Sequence, residues 1–281
     1  MSAPSRRRML ALLAACAAAP IPARAQARPL QVGVVPNVNA RLILTNYQPF
    51  RDQLQRALNR PVEIATATDF RAFYERMIVG AYDLSIAPAN LTRLAELDHG
   101  LAPFAIYEPG IPGCLVMWKD RRVGDVAELR GKTLALSNPQ SLVALKGVAW
   151  LEARGLVRDR DYRTIHARND ESLAQLLSTG EAPLAMMSRG ELMAVHPDLR
   201  ARLEELVEFA RVPGFVLSTA RALHDADVRD LRAAVLALPQ SEDGREFLRR
   251  AGVQVVRPLA PAEMTALDDT VAATRGFMTA R

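Results

Sequence analysis

Short apolar runs bounded by turn residues alternate with stretches of helical period through nearly all of this 281-residue chain, and few folds accept that alternation. The run LQVGVV at 30–35 reads as a buried strand ended by Pro36, and a helix follows from about Ile43 to Leu58, with Leu44, Tyr47, Phe50, Leu54 and Leu58 at helical spacing. Asn59 and Pro61 stop it before a second strand at 62–65. Asp69 caps a helix over 70–79, a turn at Gly80 leads into the strand LSIA at 84–87, and residues 90–97 form another short helix. Further strands are predicted at 114–118, 133–136, 162–166, 184–187 and 215–218. Helices are predicted from Ser141 to about Arg154, from Asp170 through Leu177, over 199–208, near 228–238 and near 244–251, with an amphipathic tail after them. Internal repeats of 20–50 residues, the mark of solenoids and propellers, are not found.

Such alternation implies an α/β fold with mostly parallel strands, doubly wound. Sheets of that kind bind ligands beyond the C-terminal ends of their strands. Helix N-termini gather there, and their free N–H groups and dipoles favour anions. The candidate ligand-binding residues are therefore those just after each strand: Asn37 and Asn39, Asn90, Ser137 and Ser141, Asn169 and Asp170, and Ser188. They are polar and mostly uncharged, as suits a small solute held by hydrogen bonds. Tyr47 joins them as a ring able to stack on a solute, and Arg41 as a cation near the first loop.

The N-terminus sets the compartment. Arg6, Arg7 and Arg8 precede an apolar run from Met9 to Ala19, and Ala23-Arg24-Ala25 closes the segment, which together make a secretory signal peptide over 1–25. The run is too short for a bilayer, which needs about 20 apolar residues. Ser5 to Leu10 also fits a twin-arginine export signal, so that route and the general secretory route both stand. Leu13 to Cys16 forms a competing lipoprotein cleavage motif, but it would leave a very short apolar core, so Gln26 is taken as the mature start.

Removing 1–25 takes away four arginines and no acidic residue, and the net charge falls from +5 to +1. The basic balance thus belongs to the leader, and the mature chain has no composition suited to nucleic acid. Cys114 then has no partner for a disulfide, and His99, His166, His196 and His224 are scattered without metal-ligand spacing. No metal or cofactor is expected. Nor is an enzyme: there is no Gly-x-Ser-x-Gly elbow and no His-Glu-x-x-His.

The order of segments resembles a known family. LQVGVVPN at 30–37, YQPFRDQL at 47–54 and NRPVEI at 59–64 resemble the opening of the phosphate, phosphite and phosphonate-binding proteins of ABC importers, the PhnD-like family. GAYDL at 80–84, VAELRGKTL at 126–134 and GEA at 180–182 resemble its later turns, so the likeness covers almost the whole mature chain. The resemblance implies a two-lobed type II periplasmic-binding-protein fold. Residues 28–112 plus 215–281 would make lobe one and 113–214 lobe two. Crossings near Pro109–Cys114 and Arg211–Phe215 would form the hinge. It further implies a periplasmic monomer that closes on an oxyanion and delivers it to an ABC permease in the inner membrane. A periplasmic sensor domain of the same fold, signalling to a membrane receptor, is the alternative.

The sequence departs from the family at the ligand loops. Where the family carries Ser-Thr-Ser-Gly at a helix start, this chain has Ser141 followed by Leu142 and Val143. The family's histidine is replaced by Asn169, and an expected acid by Pro183. A doubly charged phosphonate would lose charge-assisted bonds worth about 1.5–3 kcal/mol each. Each candidate also has an ordinary structural role. Ser141, Asn90, Asn169 and Asp170 are good helix caps, Asn37 suits a turn, and Tyr47 lies on an apolar helix face. Trp118, Met186, Met187 and Cys114 read as core.

Overall fold

The computed structural model describes residues 28–167 and 170–279. The signal peptide over 1–25, with Cys16 and both cleavage motifs, lies outside the described residues, and so does Asn169.

The first strand, β1 (Leu30–Val34), is buried on both faces, with Val32 and Val34 fully enclosed. Helix α1 (Ala40–Leu58) begins where Asn39 Oδ1 accepts the Leu42 N–H at 2.9 Å, and it buries Ile43, Tyr47, Phe50 and Leu54 along one stripe. Leu44, expected on that stripe, is 48% exposed because it sits about 100° round the helix from Ile43. The chain continues through β2 (Val62–Ala65), α2 (Phe70–Ile78), β3 (Leu84–Ala87) and α3 (Ala89–His99) to two long strands, β4 (Ala102–Glu108) and β5 (Ile111–Trp118).

A 3-10 turn at Val126–Leu129 leads into β6 (Thr133–Leu136), α4 (Leu142–Glu152), β7 (Arg163–His166), α5 (Asp170–Thr179) and β8 (Leu184–Ser188). Two short helices, α6 (Arg189–Ala194) and α7 (Pro197–Arg200), precede β9 (Leu203–Val212) and β10 (Val216–Thr219). The chain ends with α8 (Asp225–Leu236), α9 (Glu242–Ala251), β11 (Val255–Pro258), α10 (Pro261–Thr265) and α11 (Asp268–Thr279). No helix among the described residues is long and apolar enough to cross a membrane.

The strands form two sheets flanked by helices. The first is six-stranded in the order β11-β4-β10-β3-β1-β2, and the second is five-stranded in the order β7-β6-β8-β5-β9. The α/β class read from the alternation is the one found. The sheets are mixed, however, where mostly parallel ones were expected. Parallel pairing is confined to β2-β1-β3 and to β7-β6-β8. The other pairs, made by β10, β4, β11, β5 and β9, are antiparallel. The reason lies in the connections: β4 runs out of the first sheet into β5 of the second, β9 returns into β10, and the two routes lie side by side in opposite directions.

Residues 203–208, expected to be helical, open β9. Their glutamates and leucines suit a helix locally, but pairing with β5 from Ile111↔Val212 to Trp118↔Leu203 overrides that preference. Strands β4 and β11 were not anticipated.

The two crossings, between Glu108 and Ile111 and between Val212 and Val216, touch through glycines. A Cβ on Gly110 would stand 2.6 Å from the Val212 carbonyl oxygen, and one on Gly214 would collide with the Tyr107 carbonyl. Met264 and Leu267, near the C-terminus, pack into the same core as Leu134 and Leu184 of the second sheet and Leu142 of α4. Close by, Lys146 Nζ of α4 lies 2.8 Å from Asp269 Oδ2 of α11. The tail therefore fastens the two lobes together beside the crossings.

Candidate functional site

A cavity of about 620 Å³ opens between the lobes. Its floor is the pair of crossings, with Pro109, Ile111, Pro112 and Pro213. From the first lobe, Asn37, Val38, Leu42 and Tyr47 of the β1–α1 corner face it. From the second, Ser141, Leu142 and Val143 at the start of α4 and Ser188 to Glu191 at the start of α6 face it.

Of the residues singled out from the sequence, the structure brings Asn37, Tyr47, Ser141 and Ser188 together on this wall. Asn37 follows a tight turn in which its N–H donates to the Val35 carbonyl at 2.9 Å. Tyr47 packs its ring 5.0 Å from that of Phe247, and it stands with Tyr107 at the cavity edge. Burial pushes both phenols upward, so they stay protonated at any physiological pH. The Ser141 hydroxyl donates to the Asn138 carbonyl at 2.9 Å and accepts the Ala144 N–H at 3.1 Å, capping α4. The first N–H groups of a helix have no acceptor within it, so those of Leu142 and Val143 stay available at the cavity wall. Ser188 caps α6 reciprocally with Glu191, whose carboxylate receives the Ser188 N–H at 2.7 Å.

The others stand elsewhere. Ser137 donates to Glu191 Oε1 at 3.1 Å behind the wall, where it steadies the α6 cap. Asn90 is fully buried in the first lobe, donating from Nδ2 to Thr274 Oγ1 at 3.1 Å. Helix α3 is capped at Pro88, so the expected capping role of Asn90 is corrected. Asp170 begins α5.

Among the described residues, two arginines line the cavity, and both are engaged. Arg189 lies 2.7 Å from Glu205 and 2.9 Å from Glu208, while Arg250 lies 2.6 Å from Glu246. Behind Arg189, burial pushes the Cys114 thiol up to about 12, so it remains a neutral core group. Arg189, Met193 and Tyr107 were missed as site residues. Tyr107 lies on the unanticipated β4, and the other two lie on the short helix α6, too brief to show a period. The polar character of the wall therefore comes from helix starts, uncharged side chains, the capping carboxylate of Glu191 and two arginines already paired with glutamates.

A sequence model of the family described as "ABC transporter, phosphonate, periplasmic substrate-binding protein" matches residues 32–264. The chain belongs to that family. Solved structures agree at the level of the fold. A binding protein component of an ABC phosphonate transporter from Pseudomonas aeruginosa (PA3383) superposes with a TM-score of 0.75 at 16% identity, over 90% of each chain. PhnD1 from Prochlorococcus marinus, in complex with methylphosphonate, gives 0.74 at 12% identity, over 88% of this chain and 98% of that one. XAC2383 from Xanthomonas citri, bound to chloride ion, gives 0.73 at 19% identity, over 88% and 99%. The phosphonate-binding family is one of periplasmic transport components, and the two-lobed type II binding fold inferred from the segment order is the fold of these proteins.

Proposed function

We propose that this protein is the solute receptor of an ABC importer, binding an oxyanion in the cavity between its lobes and presenting the closed form to an inner-membrane permease. The observation that carries this reading is the convergence of the β1–α1 corner and the α4 N-terminus on one cavity floored by two interlobe crossings. Residues 28–112 plus 215–281 act as one body and 113–214 as the other, and the crossings flex between them. Asn37, Tyr47, Ser141 and Ser188 frame the bound head group. The N–H groups of Leu142 and Val143 supply its strongest hydrogen bonds. The receptor works in the periplasm as a monomer.

Thermal unfolding of the purified protein with phosphate, phosphite, methylphosphonate, 2-aminoethylphosphonate, alkylsulfonates and sulfate tests this. A ligand at 100 times its Kd adds about 2.7 kcal/mol, enough to raise the Tm by roughly 5–10 °C. At least one oxyanion is expected to do so. A protein stabilised by none of them, yet by an amino acid or a sugar, would not be an oxyanion receptor.

A further inference from the structure

Resting on the oxyanion reading, we infer that the ligand is amphiphilic: a singly charged tetrahedral oxyanion carrying an apolar chain, such as an alkylsulfonate or a long-chain alkylphosphonate monoanion.

Size is the first reason. A bare oxyanion of five heavy atoms needs on the order of 100 Å³, counting each atom at somewhat less than the roughly 30 Å³ of a liquid water. The cavity offers about 620 Å³, within the range of roughly 300–1,000 Å³ usual for ligands of many atoms.

The chemistry of the walls is the second. Beyond the helix starts, half-buried or exposed apolar side chains line the cavity from both lobes: Val38, Leu42, Phe215 and Val253 from the first, Met193 from the second, and Ile111 at the crossing between them. Met193 on that wall is 58% exposed, so its hydrocarbon is open to contact with a ligand chain.

Charge is the third. Arg189 and Arg250, the cations among the described lining residues, are already held by Glu205, Glu208 and Glu246. Helix starts together carry partial charges equivalent to roughly half a unit each, which suits one negative charge better than two.

Calorimetric titration with methyl-, butyl- and octylphosphonate, the matching sulfonates, and octanol tests the inference. Affinity is expected to tighten by up to about fourfold for each methylene buried, the equivalent of roughly 0.8 kcal/mol. Octanol, lacking the head, should bind at least tenfold more weakly than the octyl oxyanions. Raising the pH until the phosphonates carry their second charge should weaken them and leave the sulfonates unaffected. Met193→Ser, at an exposed position that folding tolerates, should flatten the dependence on chain length. Affinity that is flat or falls with chain length, octanol binding as well as the octyl oxyanions, or phosphonates that tighten at alkaline pH would overturn the inference while leaving an oxyanion receptor. Failure of every oxyanion, short or long, would overturn both.

Discussion

The Ser141 hydroxyl has one proton, and it goes to the Asn138 carbonyl, while its oxygen takes the Ala144 N–H. Its contribution to a ligand is therefore the shape of the α4 start rather than a free hydroxyl. Ser141→Ala should cost about 1 kcal/mol of stability, as loss of a cap does, and it should weaken oxyanion binding because the Leu142 and Val143 N–H groups lose their fixed aim. Urea unfolding and titration on the same variant check both, and an unchanged stability would show that the cap carries nothing. At this scale the sequence was legible in part. Residues that follow strands could be found by rule, and that rule led to Asn37, Ser141 and Ser188. It led equally to Asn90 and Ser137, because strand ends say where the chain is and not which way a side chain turns. Asn90 turns into the first lobe toward Thr274, and Ser137 turns to Glu191.

Helices with a long apolar stripe, such as α1, were legible because their periodicity and caps agree. Strand β9 was not: LEELVEF at 203–209 has local preferences that favour a helix, and only its long antiparallel pairing with β5 makes it a strand. Short edge pieces such as β11 carry too few residues to show a period of two. Packing can also reverse an element's local preference, and Gly147 inside α4 shows it. Alanine there should gain up to about 1 kcal/mol of helix propensity. Its Cβ would, however, stand 2.8 Å from Phe209 Cζ and collide with the Met186 side chain. Overpacking costs about 1–3 kcal/mol, so Gly147→Ala should destabilise on balance, read as a lower denaturant midpoint. A higher midpoint would mean that α4 sits more loosely on its sheet than its contacts imply.

For the whole molecule, the crossings and the C-terminal tail act together. Arg257 of β11 holds Glu108, at the mouth of the first crossing, at 2.6 Å and Glu263 of α10 at 2.7 Å. The Arg257 guanidinium keeps the Glu263 carboxyl down at about 2. Its folded value lies below the roughly 4.3 of an unfolded chain, so the pair stabilises fully above that pH and the benefit is lost as pH falls through about 2. The pair is near the surface, so the effect should not exceed about 1 kcal/mol. Between about pH 5 and 2 the Tm of the native protein should drop more steeply than that of Glu263→Gln, and less so in high salt. Parallel curves would show the contact to be energetically silent.

The strand order of the first sheet has a consequence for the order in which the chain can take shape. β10 lies between β3 and β4, and β4 pairs only with β10 and β11, so β4 has no neighbour until residue 216 and beyond have been made. The second sheet is drawn from one uninterrupted stretch, Ile111 to Val212, and lacks nothing from later in the chain. A nascent polypeptide can therefore pair every strand of its second sheet while its first is still a three-stranded fragment, and Met264 and Leu267 join the second lobe's core only with the tail. The half translated first is completed last, by a strand that arrives more than a hundred residues after its neighbours.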